Sequence, residues 1–123
     1  MSRSTTYVGE RDGDGIGHVF IELYESGQLM RRFELPHIVK HSPTGMEWGF
    51  GGSGPSDLAN SLLAHVIEVN GVASALYQQF KADVVSRLNQ DGFRLTDAEV
   101  REWLNQRWSQ MDEERIRADL QAA

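Results

Sequence analysis

The hydrophobic period of the chain changes once, at Trp48-Gly49-Phe50-Gly51-Gly52-Ser53-Gly54-Pro55, and that joint limits the folds open to it. Before it, apolar residues alternate with polar ones; after it, they recur every three to four positions. A sheet-forming half followed by a helical half predicts an α+β fold, with three to four antiparallel strands packed against three helices. Four glycines among the six residues from 49 to 54 permit positive φ and close backbone approach. Trp48 and Phe50 supply large apolar bodies that pin the backbone. Pro55 suits the first helical position, and Asp57 in the first turn suits the helix dipole. Trp48, Gly49, Phe50, Gly51, Gly52, Ser53, Gly54 and Pro55 are therefore expected to form a fixed structural loop against the sheet.

The clearest strand signal lies upstream of the joint. Residues 18–24 and 29–35 are rich in β-branched and aromatic types, and Glu25-Ser26-Gly27-Gln28 between them reads as a hairpin turn. Folding the strands about that turn pairs Phe20 with Phe33, Glu22 with Arg31 and Tyr24 with Leu29. Val19, Ile21, Leu23 and Met30 then share the face that helices cover. Phe20, Glu22, Tyr24, Arg31 and Phe33 share the wetter face and are the candidate binding residues.

The remaining first-half segments are weaker signals. Tyr7-Val8-Gly9 reads as an edge strand leading into a loop at Asp12-Gly13-Asp14-Gly15. A calcium loop starting at Asp12 needs a glutamate at its twelfth position, where Leu23 stands. His37 and His41 are four apart, but Pro36 and Pro43 bracket them too tightly for a helix, so they read as solvated or hydrogen-bonded histidines. Met46 to Phe50 is expected to make a last short strand.

Past Pro55, Leu58, Leu62, Leu63, Val66 and Ile67 mark one helical face, which Asn70-Gly71 is expected to end. A second helix over 72–88 carries Leu76, Phe80, Val84 and Leu88 and is expected to sit centrally. Thr96 and Glu99 form a capping box for a third helix, with Leu95 and Val100 as its staple. Val100, Trp103, Leu104, Trp108 and Met111 continue its apolar face, and a charged tail from about residue 112 is expected to be helical but frayed. At 123 residues the chain reads as one domain.

These residues resemble a family of small bacterial proteins of phages, plasmids and other mobile elements built around a Trp-Gly-aromatic-Gly-Gly-Ser-Gly-Pro core. Tyr7, Gly9, Arg11, Ser42-Pro43, Leu95-Thr96 and Glu99 also match its pattern, and the resemblance runs from Tyr7 to Trp103. It implies an architecture and a genomic habit, and assigns no chemistry to any residue.

Composition narrows the function classes further. Cysteine is absent, so disulfides and thiolate chemistry are excluded, and no apolar run reaches the roughly 20 residues of a membrane span. A net charge of −6 opposes direct nucleic-acid binding. Gly49 to Gly54 matches Gly-x-Gly-x-x-Gly literally, but an antiparallel hairpin precedes it where a dinucleotide site needs a parallel βαβ unit. No nucleophile–base pair, carboxylate pair or metal set stands at a recognisable spacing, so neither catalysis nor a cofactor nor a metal is expected. The expectation is a cytoplasmic protein-interaction module, possible partners including a nucleic-acid-binding protein complex, as for an anti-CRISPR-like inhibitor of host defence. The alternative is a small anion- or nucleotide-binding protein using the glycine loop before the first helix.

Overall fold

The computed structural model describes residues 2–67 and 70–122. Strands β1 (Arg3–Arg11), β2 (Gly17–Glu25) and β3 (Gln28–Glu34) come first, followed by a long loop and helices α1 (Ser53–Ile67) and α2 (Asn70–Asp83). A 3-10 turn (Val85–Arg87), strand β4 (Gly92–Thr96) and helix α3 (Asp97–Ala122) complete the order. The four strands form one antiparallel sheet in the order β3-β2-β1-β4, and the helices pack on one face of it. The α+β architecture is the one the change of period predicts.

The hairpin turn forms as expected, with Ser26 at φ 52° and Gly27 at φ 81°, the left-handed pair that matches the twist of the flanking strands. The register departs from expectation. Tyr24 pairs with Leu29, but a β-bulge between Leu23 and Tyr24 places Arg31 opposite Leu23, Arg32 opposite Glu22 and Phe33 opposite Ile21. One extra residue in β3 reverses the facing of everything beyond it.

Other expectations are corrected as well. Tyr7-Val8-Gly9 lies in an inner nine-residue strand, because β4 pairs along its second side. Residues 46–50 form no strand: Gly45 and Gly49 adopt φ 146° and 84°, and the Gly49 N–H donates to the Val85 carbonyl at 3.0 Å. The His37–His41 segment is also irregular loop. Asn70-Gly71 opens α2, which stops at Asp83 short of the expected Leu88.

Helix α1 is the centre of the molecule, a place expected for α2. Every residue from Gly54 to Ala64 is buried, and Leu58, Leu62 and Leu63 meet Tyr7, Ile21 and Phe80 in one core. Burying polar side chains on such a helix is costly unless they find partners, and among the described residues most do, Asn60 Oδ1 being an exception. Ser56 Oγ–H donates to the Gly52 carbonyl, and Ser61 Oγ accepts the Ile38 N–H at 3.0 Å. The capping box of α3 forms as predicted: Glu99 N–H donates to Thr96 Oγ1 at 3.1 Å, and Thr96 N–H donates to Glu99 Oε1 at 3.2 Å. Leu95, Val100 and Leu104 are buried beneath it. Described residues from Ser109 onward are exposed, and Met111 lies among residues whose side chains are not described.

Candidate functional site

The helices leave one sheet face open, and its centre is a carboxylate. Strand alternation puts Glu10, Val8 and Thr6 of β1, Phe20, Glu22 and Tyr24 of β2, Arg32 and Glu34 of β3, and Arg94 of β4 on that face. Glu22 is 3% exposed although no helix covers it. Its neighbours bury it: Arg32 Nη1 donates to Oε2 at 2.9 Å, Arg94 Nη2 to Oε1 at 3.0 Å, and Tyr24 O–H to Oε1 at 2.7 Å. The two arginines reach inward from opposite sides of the sheet. Arg32 also binds Glu10 through Nη2 at 2.7 Å and lies 4.1 Å from the Phe20 ring centroid. Arg94 adds a 3.0 Å bond to the Tyr24 hydroxyl. Burial pushes the Glu22 carboxyl up, but Tyr24, Arg94 and Arg32 outweigh it and hold the group ionised below its ordinary range.

Of the five expected binding residues, the face gathers Phe20, Glu22 and Tyr24. Arg31 and Phe33 stand on the opposite face, where Phe33 packs against the core and Arg31 lies 4.9 Å from its ring. The bulge is the reason. Arg32, Arg94 and Glu10 take their places on the open face. Arg94 had a readable signal, since Phe93-Arg94-Leu95 alternates at period two after Asn89-Gln90-Asp91-Gly92.

The glycine-rich loop is built differently from expectation in detail. Trp48 is fully buried. Its Nε1–H donates to the Asn89 carbonyl at 3.0 Å, its ring meets Phe93 edge-on at 5.1 Å, and the Arg11 guanidinium lies 4.3 Å from its centroid. A Cβ on Gly17 would come within 2.8 Å of that ring. Phe50 is 45% exposed and so is not the buried anchor expected of it, its ring lying beside Gly52. Gly49 needs its positive φ and its missing Cβ, which would sit 2.5 Å from Gln90 Cγ, whereas Gly51 has open space and no positive φ. Gly52 adopts φ 156° and its carbonyl anchors Ser56. Ser53 starts the helix, Gly54 lies against Glu47, and Pro55 is the third helical residue where the first was expected.

Asp57 has a role that helix-dipole reasoning missed. Fully buried, it accepts His37 Nε2–H at 2.8 Å, His41 N–H at 2.9 Å, Ser42 N–H at 3.0 Å and Lys40 N–H at 3.2 Å. Burial raises its carboxyl, but the His37 bond and the three amide donors prevail and hold it below its usual value. This one side chain ties the 37–42 loop onto α1. His41 Nε2 meets the Tyr77 hydroxyl at 2.7 Å, so both histidines of the pair are hydrogen-bonded. The Tyr7 hydroxyl and His65 Nδ1 are hydrogen-bonded at 2.6 Å in the core, where burial above all, and the Asp97 charge, raise the phenol well above its ordinary range.

Chemically, the open face offers rigid hydrogen-bond donors and aromatic edges around a neutralised carboxylate. No group of three His, Asp or Glu among the described residues could hold a metal ion. Every strand pairing among them is antiparallel, so Gly49–Gly54 lacks the βαβ context of a dinucleotide site. No helix among them is long and apolar enough to cross a membrane. The molecule is thus an α+β protein with one unpartnered, side-chain-locked sheet face. Residues 7–106 match a family described as "Family of unknown function (DUF6166)", and the chain belongs to that family. No curated protein and no solved structure matches it.

Proposed function

We propose that the protein is a non-enzymatic interaction module that meets a protein partner with the open face of its sheet. The observation that carries this reading is the locking of Phe20, Tyr24, Arg32 and Arg94 around Glu22. Tyrosine and arginine are the side chains that most often dominate interface energetics. Holding them in one arrangement before contact lowers the ordering cost of association.

A finer form of the proposal makes the partner a basic, nucleic-acid-binding complex of host defence, met by an anti-CRISPR-like inhibitor from a mobile element. Its support is the net charge of −6, which speeds encounter with a basic partner, together with the family resemblance. The test is isolation of the tagged protein from host lysate, followed by Phe20→Ser, Tyr24→Ser and a truncation after Trp108. The expected result is a retained fold with loss of the partner in the two serine variants and not in the truncation. Retention of the partner by both serine variants contradicts the proposal, as does turnover of a small molecule by the purified protein.

A further inference from the structure

We propose that the outer edge of β3 accepts an extended segment of a partner protein as a fifth strand, with an acidic residue of that segment opposite Arg31. The inference deepens the interaction-module reading and rests on it.

β3 pairs with β2 on one side, and no strand among the described residues lies on its other side. Its residues are exposed apart from the half-buried Phe33. The Leu35 N–H donates to the Val19 carbonyl at 2.9 Å, which makes that a hydrogen-bonded pair. Antiparallel alternation then turns the N–H and C=O groups of Arg32 and Glu34 away from β2, toward the open edge. These are the groups that strand addition uses.

Charge selects the occupant. Arg32 is paired twice, with Glu10 and Glu22. Arg31 next to it contacts the Phe33 ring, and no carboxylate among the described residues pairs with it. A second copy laid antiparallel across the middle of β3 sets the two Arg31 side chains face to face, a destabilising arrangement. An acidic segment meets the opposite condition. At the hairpin end, a hollow of about 430 Å³ is lined by Arg3 and Thr5 of β1, Leu23 of β2, Asp97 of α3 and, from β3, Met30. Met30 is 60% exposed there. Alternation of the added strand brings an apolar side chain to this hollow, which supplies the side-chain selectivity that backbone pairing lacks.

The test uses an octapeptide library displayed on phage and selected against the intact protein, with the enriched peptide then synthesised. The expected result is an alternating sequence carrying an acidic residue, and at least tenfold slower hydrogen exchange at the Arg32 and Glu34 amides when it binds. Arg31→Glu weakens binding at least tenfold, and N-methylation of alternate peptide amides abolishes it. No enrichment, or enrichment without protection of β3, overturns the proposal. If β3 stays unprotected while Phe20→Ser and Tyr24→Ser still lose the cellular partner, strand addition is wrong and the open-face reading stands. If the peptide protects β3 while those variants keep the partner, the edge is the site and the open-face reading is wrong.

Discussion

Replacing Asp57 by asparagine changes one atom, yet it should be among the most damaging single substitutions in the chain. The carboxylate is fully buried and takes four donors, from His37 Nε2 and from the backbone N–H groups of Lys40, His41 and Ser42. An amide has one oxygen, so its NH2 must face at least one backbone N–H. A buried donor left without a partner costs about 1–3 kcal/mol, and the bonds that survive lose their charge assistance. The sum is about 3–5 kcal/mol, in line with the cost of breaking a buried charged network. For a chain of this size each kcal/mol moves the melting midpoint by roughly 3–4 °C, so Asp57→Asn should melt about 10–20 °C lower. Differential scanning calorimetry reads this directly. His37→Ala removes a single donor from a half-buried site and should cost about 1 kcal/mol. If Asp57→Asn melted within about 2 °C of the natural protein, the account of the 37–42 loop as a structure held by one carboxylate would be refuted.

Other outcomes follow from the same geometry. Gly49→Ala should destabilise by about 2 kcal/mol or more, because of its φ of 84° and the 2.5 Å approach to Gln90, while Gly51→Ala should stay within about 0.5 kcal/mol in urea titrations. Thr96→Ala breaks the capping box and should cost about 1 kcal/mol, read from the same titrations. Asp57 and Glu22 both titrate lower folded than unfolded, so their contribution is complete above about pH 5 and is lost as pH falls through the folded values. Melting followed from pH 7 down to pH 3 should therefore show a falling midpoint, and Asp57→Asn should flatten that fall.

Local chemistry makes part of this architecture legible in the sequence alone. Ser26-Gly27 is a turn because glycine tolerates positive φ, and Thr96 with Glu99 is a helix start because both ends of the capping box lie within four residues. What stayed hidden depends on contacts distant in sequence. The bulge in β3 inserts one residue, and no propensity marks it; it moved Arg31 and Phe33 off the candidate site and brought Arg32 onto it. β4 is five residues long, too short to stand out against the helices around it, which hides Arg94 although Phe93-Arg94-Leu95 alternates. Asp57 looked like a dipole-complementing residue because its true partners lie in a loop 15 to 20 positions upstream. Trp48 reads as an anchor from its glycine-rich setting, but Arg11, Gly17 and Asn89, which hold it, come from three separate segments.

The most direct test of the central claim is site-specific photo-crosslinking of the partner complex. A benzoylphenylalanine placed at Phe20 or at Arg94, whose side chain is 59% exposed, lies on the open sheet face; one at Gln79 lies on the exposed side of α2. The account predicts crosslinks to the partner from positions 20 and 94 and none from 79. Crosslinks from 79 with none from 20 or 94 would contradict it.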